Sequence, residues 1–212
     1  EKENKKIYIR NSRALAINYS DTTDAYWNRS RCCVRMGWMK PLVINYPTER
    51  QYNLNMALDN LLPTYFKERL GAGRKQGGWR TDFDLHKQHV MAVDELVSWI
   101  ESLLPKVSAY FCKAKKGEVL NFKQDGLEIT HMWGIRYNKG DSVSPHNHFP
   151  LALTLGYYVL TPKGCSPLKI EGKKIKVRAG QCVFFLGSDW HSIDPEPIGG
   201  RTLIAANIGY RP

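Results

Sequence analysis

Along the chain the spacing of apolar residues changes twice, and each change marks a different kind of element. Residues 1–50 carry short apolar runs at 7–9, 14–17 and 42–44 between polar breaks, a pattern of strands and loops. From Gln51 the apolar positions fall three and four apart: Leu54, Leu58, Leu61 and Leu62, then Tyr65, Phe66 and Leu70. This spacing predicts a helix, interrupted by Pro63 and closed by Gly71 and Gly73. Residues 77–84 read as a loop, with Asp84 placed to cap a second helix. That helix has the clearest pattern in the chain. Val90, Val93, Leu96, Val97, Ile100, Leu103 and Leu104 form one apolar face suited to backing a sheet, and Pro105 is its predicted end.

From about Leu127 the period falls to two. His131, Trp133, Ile135 and Tyr137 share one face of a strand. Further strands are predicted over 143–148, 151–160, 168–170, 174–177, 181–186 and 202–208, with glycine- and proline-containing turns between them. Many short strands at this spacing argue for a sandwich or barrel. The expected fold class is mainly β with N-terminal helices. The expected organisation is one domain over 1–212, with an N-terminal elaboration over 1–126 and a β core over 127–212.

Composition narrows this picture in three ways. An apolar share of 42% suffices for a sizeable core, and no run approaches the ~20 apolar residues that span a bilayer. The five cysteines include the adjacent pair Cys32 and Cys33 and no C-x-x-C spacing, which suits a reducing, cytoplasmic setting. Cys182, inside an apolar run, reads as a buried free thiol. The net charge of +11 fits an anionic substrate, a nucleic acid or an acidic peptide. No nucleic-acid motif accompanies the basic residues, and solvated charge is the commoner explanation.

The candidate chemistry lies in the histidines. His86 and His89 stand three apart with no third ligand near them in sequence, so capping or packing accounts for them. In Pro145-His146-Asn147-His148 the two histidines occupy positions i and i+2 of a strand, so both imidazoles project to one side. His191 follows the 181–186 strand and a glycine-containing turn, where it can complete a facial set of three with coordination positions left open. Arg201, ten positions further on, begins the last strand and is suited to pairing with a carboxylate.

The order of these motifs resembles the iron(II)- and 2-oxoglutarate-dependent oxygenase superfamily, and within it a branch of small phage and bacterial oxygenases. The resemblance rests on Trp133, Lys139-Gly140-Asp141, His146-Asn147-His148 and Gly156-Tyr157-Tyr158. It continues through Gly180 to Phe185, His191, Pro195 and the strand led by Arg201. It implies a double-stranded β-helix (a jelly-roll, cupin-like core) holding Fe(II) on His146, His148 and His191. It further implies 2-oxoglutarate and O2 as small-molecule cosubstrates, with no catalytic side chain beyond the metal ligands. Arg201 matches the residue that binds the distal carboxylate of 2-oxoglutarate, and Tyr158 a tyrosine that donates to the same group. The implied activity is hydroxylation of a substrate that the motifs do not name, whether peptide, nucleic acid or metabolite.

Two departures stand out. His148 sits where the superfamily usually has a carboxylate, leaving the site one negative charge poorer. The arginine motif reads Arg201-Thr202-Leu203, without the hydroxyl expected at 203. They leave two alternatives open. One is a cupin-type three-histidine metal dioxygenase that needs no 2-oxoglutarate; the other is a non-catalytic metal-binding jelly-roll protein.

Overall fold

The computed structural model describes residues 39–70, 77–112 and 126–210. The sequence-predicted runs at 7–9 and 14–17, the Cys32–Cys33 pair and the closing glycines Gly71 and Gly73 lie outside them. The strands are β1 (Leu42–Asn45), β2 (Glu68–Leu70), β3 (Gly78–Arg80), β4 (Leu127–Tyr137), β5 (Val143–His146) and β6 (Leu153–Leu160). They continue with β7 (Leu168–Ile170), β8 (Lys173–Ile175), β9 (Gln181–Leu186), β10 (His191–Ile193) and β11 (Arg201–Tyr210). Helices α1 (Thr48–Tyr65) and α2 (Met91–Phe111) lie ahead of β4 in sequence.

The strands form two sheets. A seven-stranded sheet runs β1-β9-β6-β11-β4-β3-β2 and a four-stranded sheet runs β5-β10-β7-β8. Every pairing between them is antiparallel. The architecture is a double-stranded β-helix with two helices added, as the sequence predicts.

The larger sheet is covered on both faces, and alternation along its strands sorts side chains between two cores. Leu153, Leu155, Tyr157 and Val159 of β6 pack outward with Cys182, Phe184, Ile204, Ala206 and Ile208 against the helices. Tyr158, Val183, Phe185, Leu203 and Ala205 face inward, between the sheets, with Trp133, Ile135, Tyr137, Val143, Leu168 and Ile193. The inner face therefore carries the cavity described below. Cys182 is buried and free, as read from the sequence, and burial pushes its thiol well above the ordinary range.

Both helices depart from their expected ends. The first stops at Tyr65, and residues 68–70, expected to be helical, are strand β2 instead. Phe66 is extended, which turns the chain onto the sheet edge, where β2 pairs with β3 and β3 with β4. The Arg80–Glu68 ion pair and the stacked rings of Phe66 and Trp79 hold this edge. Residues 78–80, read as loop, are strand because Gly78 takes a left-handed φ of 105° beside the Arg136 carbonyl. A side chain there would collide with that carbonyl.

The second helix runs through Pro105 to Phe111, beyond its expected end. Proline removes one backbone hydrogen bond, but the buried face continues through Leu104, Val107 and Phe111. Their burial outweighs the lost bond. Asp84 caps a short 3-10 turn, Leu85–Lys87, through its position alone, without a side-chain hydrogen bond. No helix among the described residues is long and apolar enough to cross a membrane.

Candidate metal centre and cavity

The short strand β10 creates the site. It was absent from the predicted strands because His191-Ser192-Ile193 carries one aliphatic residue, too little to stand out as an apolar run. It pairs with β5 so that His191 lies directly across from His146. His148, two residues beyond His146, projects to the same side, and its backbone N–H donates to the Gly187 carbonyl at 2.7 Å. That bond ties the two ligand-bearing segments together. On the other segment, the Asp189 carboxylate accepts the Leu186 N–H at 3.1 Å, which closes the turn leading into His191.

One nitrogen from each of His146, His148 and His191 lies within 4.8 Å of the other two. His148 Nε2 and His191 Nε2 are 3.3 Å apart. Two nitrogens bound to one metal at right angles, with bonds near 2.1 Å, would sit about 3.0 Å apart. Backbone carbonyls orient two of the rings. His146 Nδ1 is 2.9 Å from the Ser144 carbonyl, and His191 Nδ1 is 3.3 Å from that of Asp189. Each Nδ1–H donates there, leaving Nε2 as a lone-pair donor for a metal. Burial, helped by the neighbouring His146, lowers the His148 pKa to about 4. Burial, with His146 and His148, lowers His191 to about 3 against the opposing pull of the Asp189 carbonyl. Neutral imidazoles are the ligating form, so the donor set fits a divalent transition metal.

The histidines form part of the wall of a cavity of about 410 Å³. The remaining lining is mostly apolar and aromatic, and includes Trp133, Ile135, Tyr137, Leu168, Phe185 and Leu203. His131 also lines it, as its strand face suggested. Asn207 and Thr154 are a polar exception, hydrogen-bonded to each other at 3.3 Å. Trp133 Nε1 is buried and has no hydrogen-bond acceptor, and its ring centroid is 6.1 Å from that of His148. An unsatisfied N–H beside a metal ligand suits an oxygen acceptor carried by something bound there. Sequence reading placed Trp133 on the right face but gave no hint of this missing partner.

The two residues expected at the far end are placed differently from one another. Tyr158 lines the cavity, and burial raises its phenol well above the usual value. Arg201 is fully buried and is not part of the cavity lining. Its Nη2 is 2.6 Å from Glu196 Oε1, with both side chains fully buried, and its Nη1 donates to the Ser166 carbonyl at 2.6 Å. Its guanidinium lies 4.7 Å from the centre of the Tyr137 ring. Arg201 Nε is buried without an acceptor. Burial raises the Glu196 pKa, with Arg201 opposing. Sequence reading took 195–200 for a turn and missed Glu196 altogether.

His86 and His89 join no group of three potential ligands among the described residues. Asn147 turns away from the histidines, and its side chain accepts the Phe149 N–H at 3.3 Å.

Comparison with solved structures adds the decisive observation. A prolyl-4-hydroxylase from Pseudomonas putida matches with a TM-score of 0.61 at 15% identity, over 81% of this chain and 93% of that one. The fold is that of the iron(II)/2-oxoglutarate oxygenases. A second oxygenase of this fold is the collagen prolyl hydroxylase of Paramecium Bursaria Chlorella virus-1, solved with 2-oxoglutarate. It matches with a TM-score of 0.56 at 15% identity, over 80% of this chain and 96% of that one. The epimerase SnoN of nogalamycin biosynthesis, solved with Fe3+, alpha-ketoglutarate and a nogalamycin compound, matches with a TM-score of 0.61 at 13% identity. That match covers 89% of this chain and 87% of SnoN. No family model matches the chain, and no curated protein matches it in sequence. The oxygenase fold thus rests on architecture, at identities too low to carry residue roles across.

Proposed function

We propose that the chain is a non-haem iron(II) dioxygenase that uses 2-oxoglutarate to hydroxylate its substrate, with His146, His148 and His191 as metal ligands. The observation that carries this reading is the convergence of three imidazole nitrogens on the wall of an apolar cavity, within an oxygenase fold. Iron together with the 2-oxo acid supplies the oxidation of an unactivated C–H bond by O2. The remaining work belongs to the chain. Three imidazole rings, two of them oriented by backbone carbonyls, would hold the metal at the cavity wall. The aromatic and aliphatic lining excludes water, which strengthens each polar contact made inside. Trp133 Nε1–H would donate to an oxygen acceptor bound in the cavity, and Tyr158 would meet the far end of the cosubstrate.

The substrate approaches past aromatic groups that are half exposed. Phe83 forms part of the cavity wall, Phe149 follows His148, and Trp190 precedes His191. The test is anaerobic loading with Fe(II) and 2-oxoglutarate, followed by O2. Succinate formed only with all three present supports the reading; no iron-dependent turnover and no 2-oxoglutarate binding reject it. The position of Arg201 outside the cavity lining favours a second reading, a three-histidine dioxygenase needing no 2-oxo acid. Oxygen uptake by the iron-loaded protein with substrate but without any oxo acid distinguishes the two.

A further inference from the structure

Behind the cavity wall, next to the ring of Tyr137, lies a charged pair that the site chemistry does not use. Arg201 and Glu196 are both fully buried, 2.6 Å apart, and Glu196 is built firmly into its loop. Its backbone N–H donates to the Asp141 carbonyl and its own carbonyl accepts from Gly140, both at 2.8 Å. Its other carboxylate oxygen accepts the Ser166 N–H at 3.1 Å. Ser166 also contributes the carbonyl that receives Arg201 Nη1, so arginine and glutamate share one frame made by the loop before β7 and the β10–β11 loop. This carboxylate is fixed in place rather than free to swing aside.

We propose that Glu196 is a resident counter-ion that sets cosubstrate selectivity: it already satisfies the charge of Arg201, so the site takes 2-oxo acids with uncharged tails about as readily as 2-oxoglutarate. The proposal rests on the reading of the chain as a 2-oxo-acid-dependent oxygenase. A distal carboxylate entering this cavity meets Tyr137, Tyr158, Val143, Leu168, Ile193 and Leu203 on the wall, and no cationic side chain. It would lose its hydration, find Arg201 outside the lining and already ion-paired, and face a second carboxylate behind the same wall. An uncharged tail meets the same apolar wall without that cost. Selection for the oxo acid then lies at the metal end, where the three-histidine set supplies no carboxylate to offset a cation's charge.

The test compares 2-oxoglutarate with 2-oxopentanoate, which has the same length but lacks the distal carboxylate. Binding to the Fe(II)-loaded full chain is followed anaerobically by the metal-to-ligand charge-transfer band. In the wild type the proposal expects the two affinities to agree within about tenfold. In Glu196→Gln, where the arginine is left unpaired, 2-oxoglutarate should gain by about a hundredfold over 2-oxopentanoate and should raise Tm far more than the monoacid does. If Glu196→Gln does not fold, the wild-type ratio alone decides. A wild-type preference for 2-oxoglutarate of about a hundredfold or more overturns the proposal while leaving the cosubstrate reading intact. A ratio unchanged by Glu196→Gln overturns it equally. Failure of both acids to bind a protein that still holds iron overturns the cosubstrate reading and the proposal together.

Discussion

The two ends of one cavity use opposite electrostatic strategies. At the metal end three imidazoles converge, and burial keeps two of them, His148 and His191, neutral. At the other end a cation and an anion lie together behind the wall, each answering the other. The first arrangement is incomplete without a ligand: Nε2 atoms of His148 and His191 face each other at 3.3 Å, and the Trp133 N–H has no acceptor. The second is nearly complete as it stands. Preorganised but unsatisfied groups mark where something binds, whereas a satisfied pair marks where the protein holds itself together.

Substitutions should separate the two ends. The largest effect is expected for His191→Ala, which should weaken Fe(II) or Co(II) binding by more than about a hundredfold, since even groups behind a ligand cost ten- to a hundredfold. Equilibrium metal titration checks this, and the apo protein should unfold at nearly the wild-type denaturant concentration. Arg201→Leu should do the reverse. It strands a buried carboxylate, so stability should fall by about 3–5 kcal/mol while metal affinity holds. The pair Arg201→Leu with Glu196→Leu should recover most of that loss, which denaturant unfolding would reveal. A smaller effect is expected for Trp133→Phe. It removes one N–H from the cavity and should weaken an oxygen-donor ligand at the metal by about 1 kcal/mol, leaving metal affinity unchanged.

Gly134→Ala probes the frame shared by both ends. A methyl group there would run into the Leu62 side chain of α1, so that buried side chain or the helix carrying it must give way. The cost should be about 1–3 kcal/mol, read by unfolding, with little change in metal affinity.

The difference between the ends also explains what the sequence made legible. Strands β6, β9 and β11 could be read as apolar runs between turn residues because both faces of the large sheet are covered, and the His-x-His pair because strand geometry projects i and i+2 together. The partner of that pair depended on β10, three residues long, whose pairing with β5 no local pattern announces. Helix α2 outran Pro105 because tertiary burial of Leu104, Val107 and Phe111 overrode a local signal. Glu196 was invisible for a related reason. A glutamate between two prolines in a turn looks solvated until the fold places its carboxylate against Arg201, five residues away in sequence and on the following strand.

The central claim is that three histidines, and no carboxylate, hold one metal ion at the cavity wall. X-ray absorption at the cobalt edge of the Co(II)-loaded protein tests it most directly, in the wild type and in His148→Ala. The account predicts one tightly held ion per chain, with three imidazole nitrogens near ~2.1 Å in the wild type. It predicts two or fewer, with sharply reduced retention, in the variant. Full metal retention with an unchanged imidazole count in His148→Ala would contradict it.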